Sequence, residues 1–110
     1  MRKFELERVL SEVCLRLSVD VKDIKSASRK RCHVDARKLY CYISREMKFG
    51  TFNEIADLIN KDHSSAIYYY DWVDCQKDMP YSIELREDIR IVKSKIERNP
   101  KVAIRWAWGS

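Results

Sequence analysis

The sequence has little of the two residues that most often interrupt regular structure, with two glycines and two prolines in 110 residues. Folds built from many short strands and tight turns use more of both, so such folds are disfavoured. Hydrophobic residues make up 45% of the chain and charged residues 35%. This balance predicts a single globular domain of the all-α class.

Long apolar runs are also absent. No stretch approaches the roughly 20 apolar residues that a membrane-spanning helix needs. The first residues, MRKFELERVLSEV, place acids inside the apolar pattern, which a secretory signal would not tolerate. We therefore expect a cytoplasmic protein with no membrane partner.

Four cysteines lie too far apart for any CxxC pair: Cys14, Cys32, Cys41 and Cys75. This spacing is not that of a zinc or redox motif, and it predicts reduced, mostly buried thiols. A metal shared by Cys32 and His33 is the weaker alternative, because adjacent residues seldom point at one ion. No nucleophile and base, and no carboxylate pair, emerges from the spacing. We expect no metal, no cofactor and no enzymatic activity.

Positive charge is concentrated in one segment. Residues 22–38, KDIKSASRKRCHVDARK, hold seven Lys or Arg against two Asp, an excess equal to the net charge of the whole chain, +5. One basic segment on an otherwise balanced surface is typical of contact with nucleic-acid phosphates. From charge alone, a solvated loop is the alternative.

Apolar residues recur at helical spacing twice in the first half of the chain. The first set predicts a helix and comprises Phe4, Val9, Leu10, Val13, Cys14 and Leu17. A short turn at residues 21–24 and a basic loop at residues 25–32 follow. A longer helix is then predicted to begin near His33 or Val34 and to end at Gly50. Its apolar face comprises Val34, Leu39, Ile43 and Met47, and three basic residues are expected to reach outward from it: Arg37, Lys38 and Arg45.

The segment TFNE, which follows Gly50, has the spacing of a capping box formed by Thr51 and Glu54. The short helix that it begins has the apolar residues Phe52, Ile55, Leu58 and Ile59. A turn at Asn60 and Lys61 precedes Asp62, a good N-cap for a further helix. A short helix, a tight turn and a longer helix are typical of the helix-turn-helix, whose second helix enters the major groove.

The second of these helices begins with a polar tip, HSS, in the segment KDHSSAIYYYDWV. Its predicted inward residues are Ala66, Tyr69 or Tyr70, and Val73. Short hydroxyl side chains let a helix approach base edges, and the free amides at a helix N-terminus attract phosphate. The tip therefore predicts contact with nucleic acid, although Asp and Ser are also ordinary helix starters.

The end of the chain predicts one more helix, capped by Ser82, with an apolar stripe of Leu85, Ile89, Val92 and Ile96. We interpret the stripe as core packing rather than a dimer seam, because two heptads are short for a coiled coil. The closing VAIRWAWGS carries Trp106 and Trp108, which either cover the core or bind a protein partner. We thus divide the chain into a domain, residues 1–98, and a tail, residues 99–110.

From Val9 to about Val73 the sequence resembles the C-terminal DNA-binding domain, domain IV, of the bacterial chromosomal replication initiator DnaA. The resemblance is carried by three segments: SASRKR, DARKLYCYISREM and TFNEIADLINKDHSSAIYY. It implies a compact helical domain with a helix-turn-helix, of the class shared by the Trp repressor and the DnaA C-terminal domain.

The resemblance also implies roles for individual residues. The tip residues would contact the major groove and nearby phosphates, Arg29 would enter the adjacent minor groove, and basic residues of the long helix would hold the DNA backbone. With the charge pattern, the candidate DNA-binding residues are Arg29, Lys30, Arg31, Arg37, Lys38, Arg45, Lys61, Asp62, His63, Ser64, Ser65 and Tyr68.

These features predict a sequence-specific, nucleoid-associated protein that binds double-stranded DNA at DnaA-box-like sites. The sequence contains no GxxxxGK[ST], so we expect no ATPase activity. In the turn, where the family commonly has glycine before the basic residue, this sequence has Ile59-Asn60-Lys61. Ser64 and Ser65 stand where threonine is common, and Lys38 stands where glutamine is frequent. These departures predict an altered base preference.

The alternative is a phage or mobile-element interaction protein, which binds a host replication or regulatory protein through its last helix and Trp-rich tail.

Overall fold

The computed structural model describes residues 2–97, which form helices and contain no strand. The helices are α1 (Arg2–Leu17), α2 (Val21–Lys25), α3 (Arg31–Glu46), α4 (Phe52–Leu58), α5 (His63–Gln76) and α6 (Ile83–Glu97). The prediction of an all-α domain is confirmed. The predicted tail with Trp106 and Trp108 lies outside the described residues.

Helix α3 is the central element of the fold. It packs against α1 on one side and α5 on the other, while α4 packs against α5 and α6 against α1. Leu39 and Ile43 are buried on α3, as predicted, and the buried hydroxyl of Tyr40 donates to the carbonyl of Ile55 at 2.8 Å. This bond joins α3 to α4 inside the core, where a hydroxyl needs a partner.

The apolar face predicted for the first helix is largely confirmed. Four of its members are buried in the core: Val9, Leu10, Val13 and Cys14. Phe4 is an exception, because its side chain is 63% exposed. The prediction that Phe4 faces inward is therefore wrong, since the core contacts of α1 begin only at Leu6.

Both predicted ends of α3 are wrong by a few residues. The helix begins at Arg31, so the loop before it is shorter than predicted, and it ends at Glu46 rather than at Gly50. Lys48, with φ of 59°, takes the left-handed conformation that closes the helix. Gly50 has a different reason to be glycine. A Cβ atom there would lie 3.1 Å from Oε1 and 3.3 Å from Cβ of Glu54, so Glu54 would have to move by a few tenths of an ångström to admit a side chain.

Helix α6 completes the core, as its apolar stripe predicts. Ile89, Val92 and Ile96 are buried, and Leu85 is half-buried against the same cluster. On the surface, Nε of Arg16 donates to Oδ1 of Asp88 at 2.7 Å, which links α6 to α1. The stripe packs inward and covers the core of this domain.

The cysteines divide into two pairs by exposure. Cys14 and Cys41 are buried, whereas Cys32 and Cys75 are exposed, and all four are free thiols. The prediction of mostly buried cysteines therefore holds for only two of them. Between residues 2 and 97 no three His, Cys, Asp or Glu side chains are grouped to hold a metal ion. No helix in the same range has the length and apolar character to cross a membrane.

Candidate nucleic-acid interface

Helices α4 and α5 form the predicted helix-turn-helix, and each begins at the predicted cap. Oγ1 of Thr51 accepts from the amide of Glu54 at 3.2 Å, and the amide of Thr51 donates to Oε1 of Glu54 at 2.8 Å. Oδ1 of Asp62 accepts from the amide of Ser65 at 3.0 Å. These local bonds satisfy amides that a helix start leaves unpaired, so the starts of both helices could be predicted from sequence.

The turn between the two helices depends on Asn60. Its φ of 59° lies in the left-handed region, where asparagine is tolerated better than most residues with a side chain. The amide of Lys61 donates back to the carbonyl of Ala56 at 3.0 Å, which closes the end of α4. Asparagine thus provides the left-handed conformation that glycine adopts most readily.

The turn is hydrogen-bonded directly to the end of α2 and to the basic loop that follows it, which the structure places at residues 26–30. Nδ2 of Asn60 donates to the carbonyl of Lys25 at 3.3 Å, and Nζ of Lys61 donates to the carbonyl of Ser26 at 2.9 Å. These bonds join residues 35 positions apart in sequence. They place the basic loop beside the N-terminus of α5, a contact that the sequence pattern does not reveal.

Arg37 lies beneath this loop, and the prediction that it reaches outward is wrong. The residue is 2% exposed, and its guanidinium donates to four backbone carbonyls. The acceptors are Ile24 at 2.8 Å, Ser28 at 2.6 Å, Asp23 at 3.1 Å and Ser26 at 2.9 Å. A buried cation needs such partners, and the planar guanidinium can satisfy several carbonyls at once. Arg37 therefore fixes the loop and is not placed to contact DNA.

Serine and histidine side chains provide further support within the loop. Oγ of Ser28 and Nδ1 of the buried His33 lie 2.7 Å apart, and Oγ of Ser26 donates to the carbonyl of Asp23 at 2.6 Å. Arg29 and Lys30 are exposed on the outside of the loop. The loop thus presents two cations from a backbone that is bonded at several points.

Arg31 was predicted in the loop but is the first residue of α3. Its side chain is 95% exposed, and its Nε lies 3.9 Å from a carboxylate oxygen of Asp35 one turn later. An exposed pair of this kind contributes little stability, so the guanidinium is available to a phosphate.

Lys38 and Arg45, the other two basic residues of α3 that were predicted to reach outward, lie in different surroundings from Arg37 and from each other. Nζ of Lys38 lies 3.6 Å from the ring centroid of Trp72, and partial burial lowers the pKa of this lysine. Lys38 therefore packs on the second half of α5, and the expectation of an outward side chain is met only in part. Arg45 is exposed at the other end of α3, where its Nη1 donates to the carbonyl of Gly50 at 3.3 Å.

Positive charge gathers where the loop meets the turn. Burial lowers the pKa of Lys61, and the charges of Arg37 and Arg29 lower it further. Nζ of Lys61 and Nη2 of Arg37 donate to the same backbone carbonyl, each at 2.9 Å, which places these two cations side by side. Hydrogen bonds from Ser65 lower the pKa of the exposed Asp62. The surface thus combines positive charge at the turn with a carboxylate acceptor at the helix tip.

The tip of α5 faces solvent. His63 and Ser64 are exposed, Ser65 is half-buried, and Tyr68 is 59% exposed. On the opposite side Ala66 and Val73 are buried, as predicted. The inward aromatic position is occupied by both tyrosines, since Tyr69 and Tyr70 each pack against the core.

Comparisons with known proteins agree with this architecture. A family model described as the bacterial dnaA protein helix-turn-helix matches residues 6–73, which run from α1 into α5. Two curated relatives are named chromosomal replication initiator protein DnaA. The one from Thermodesulfovibrio yellowstonii is 30% identical over 94 residues, which cover 84% of this chain and 20% of the relative. The one from Levilactobacillus brevis is 30% identical over 81 residues, which cover 73% of this chain and 18% of the relative.

This chain therefore spans about a fifth of the length of the curated relatives it matches. No solved structure gives a significant match.

Proposed function

This chain belongs to the bacterial DnaA helix-turn-helix family of DNA-binding domains, and from that premise we propose that it binds double-stranded DNA sequence-specifically at DnaA-box-like sites. One observation supports the proposal above the others. Asn60 and Lys61 bond the helix-turn-helix to the basic loop, so the polar tip of α5 and the exposed cations lie side by side. A single DNA duplex can contact both.

In this proposal the tip of α5 enters the major groove. The groove is about 12 Å wide and admits a helix, and its base edges carry a distinct donor and acceptor pattern for each base pair. His63 and Ser64 are exposed at the tip and donate or accept at base edges, and Asp62 accepts from a base amine. Ser65 and Tyr68 contact the sugar-phosphate backbone beside them.

The basic loop lies over the adjacent minor groove, with Arg29 inserted into it. An arginine gains there from the strong negative potential of a narrow, A·T-rich groove. Lys30, Arg31, Arg45 and Lys61 contact phosphates, which fixes the register of the protein on the duplex. Lys38 makes at most an edge contact, since its ammonium lies over Trp72.

Selection of bound sequences from a pool of random duplexes tests the proposal. We expect enrichment of one motif that resembles a DnaA box. The motif should differ from that box at the base pairs that face the serines of the tip. A pool that stays random after repeated selection at moderate salt would contradict sequence-specific binding.

A second candidate function, binding to a protein partner through the last helix, has one observation in its favour. Met79, Tyr81 and Ile83 expose apolar side chains where α6 begins. Salt separates the two functions, because counterion release makes DNA affinity fall steeply with salt concentration, whereas an apolar protein contact barely changes.

The two relatives are named for chromosomal replication initiation. We propose that this chain uses the same class of DNA site.

A further inference from the structure

We propose that His33 is a positioning residue of the DNA interface, which holds the turn that presents Arg29 to the minor groove. This inference rests on the proposed function, since it names the residue that keeps one contact of that interface in place. His33 is only 9% exposed, so it acts on the duplex through other residues.

Arg29 lies at the centre of a turn that a serine closes. The backbone amide of Lys30 donates to Oγ of Ser28 at 3.3 Å, so a single oxygen links the residues on either side of Arg29. Serine side chains close such turns by bonding the amide two residues later. A bond of this length is weak by itself. The direction in which Arg29 leaves the loop therefore depends on a second partner that fixes the hydroxyl of Ser28.

His33 provides this second partner. Its Nδ1 lies 2.7 Å from Oγ of Ser28. Because Oγ accepts from the amide of Lys30, its hydrogen is free to donate to Nδ1. The other ring nitrogen, Nε2, lies 3.6 Å from a carboxylate oxygen of Asp23 in α2, which favours the ring proton on Nε2. In this tautomer His33 is the acceptor that orients the hydroxyl of Ser28.

His33 and Arg37 hold different parts of the same serine. They lie one turn apart on α3, and Nη1 of Arg37 donates to the carbonyl of Ser28 at 2.6 Å. Arg37 also bonds three other carbonyls beneath the loop, so the path of the loop backbone does not depend on the imidazole. Loss of His33 thus frees the hydroxyl and the turn, and leaves the loop and its charge in place.

A turn that is already held lowers the cost of binding, because fewer groups must be ordered when the duplex arrives. Insertion of Arg29 into a narrow minor groove depends on its direction, whereas attraction to phosphates depends mainly on its charge. Loss of His33 should therefore reduce the preference for A·T-rich flanks and leave general affinity for DNA unchanged.

The test uses two duplexes that share the selected motif, one with an A·T tract on the loop side and one with G·C flanks. Fluorescence anisotropy measures the affinity of the full chain for each. The unaltered protein should prefer the A·T flank. In His33→Leu this preference should shrink at least about twofold, the value of one side chain that must be ordered on binding. Affinity for the G·C duplex should change less than about twofold, because the charge of the loop is kept.

His33→Asn is the matched variant, because its side-chain oxygen can accept from Ser28 as Nδ1 does. It should retain most of the flank preference. Ser28→Ala removes the same bond from the loop side and should match His33→Leu, which keeps the test decisive if the buried substitution does not fold. In an Arg29→Ala background, His33→Leu should change the flank preference no further. Urea unfolding checks that each variant is folded.

The inference is overturned if the unaltered protein shows no flank preference, or if Ser28→Ala retains it in full. It is also overturned if His33→Asn loses the preference as completely as His33→Leu. Failure of the proposed function has a different appearance, because the random pool then yields no motif to place in the two duplexes.

Discussion

At the scale of single residues, two arginines near the basic loop have opposite roles. Arg37 is buried beneath the loop with four carbonyl acceptors, whereas Arg29 is exposed above it. Arg37→Met would leave buried carbonyls without a donor, and hydrogen bonds to charged groups each contribute about 1.5–3 kcal/mol. We expect the free energy of unfolding in urea to fall by at least about 3 kcal/mol.

Arg29→Met serves as the matched variant. An exposed substitution changes stability by no more than about 0.5 kcal/mol, so only DNA affinity should fall. Equal stability of the two variants would show that the guanidinium of Arg37 does not hold the loop.

His63 provides a second test at this scale, because it is exposed at the tip and placed at a base edge in the proposed complex. His63→Ala should weaken binding to the selected motif by about 1–3 kcal/mol and leave binding to random duplex nearly unchanged. Titration of both duplexes at one salt concentration measures the difference. Equal losses of affinity on the two duplexes would show that His63 contacts phosphate and not a base edge.

At the scale of elements, the turn between α4 and α5 tests the backbone argument. Asn60→Gly and Asn60→Ala both remove the bond to the carbonyl of Lys25, and they differ in their tolerance of the left-handed φ of 59°. The glycine variant should be the more stable by about 1 kcal/mol, because an L side chain is penalised in that region. Urea unfolding of the two variants measures this, and a more stable alanine variant would contradict the turn conformation.

At this scale, the sequence predicts those features of the helices that depend on residues close in sequence. The caps at Thr51 and Asp62 bond to amides three residues away, so the starts of α4 and α5 follow from the pattern. The end of α3 does not follow from the pattern. Lys48 takes the left-handed conformation there, and in a sequence that conformation is usually indicated by glycine. The direction of Arg37 depends on the path of the loop, which helical periodicity does not contain.

At the scale of the whole molecule, the pattern of polar and apolar residues predicted the fold class and the helix-turn-helix. It could not predict that the loop lies against the turn, since the bonds of Asn60 and Lys61 join distant segments. That contact determines which residues share one surface. The sequence therefore predicts which residues belong to the candidate interface, but not how these residues are arranged in space.

The natural cysteines allow a test of which face binds DNA. Cys32 lies exposed beside the basic loop, and Cys75 lies exposed about 18 Å along α5 from the tip. Bound DNA should slow alkylation of Cys32 by covering it and by adding negative charge nearby, and should leave Cys75 unchanged. Mass spectrometry after timed alkylation, with and without the selected duplex, measures both rates.

Cys14 and Cys41 should stay unlabelled in both states. Burial raises the pKa of Cys14 to about 11 and also raises that of Cys41, and both thiols are inaccessible. Protection of Cys75 instead of Cys32 would place the DNA on another face.

We propose that the tip of α5 and the basic loop bind one duplex in a fixed register, with the tip in the major groove and Arg29 in the adjacent minor groove. The most direct measurement compares the affinities of the unaltered protein and Arg29→Ala on three duplexes that share the selected motif. One has an A·T tract beside the motif on the loop side, one has the tract moved outward by five base pairs, about half a helical turn, and one has G·C flanks. We predict that loss of Arg29 weakens binding most on the first duplex, because only there does a narrow minor groove face the loop. Equal losses on all three duplexes would contradict the claim and leave the loop as a simple electrostatic anchor.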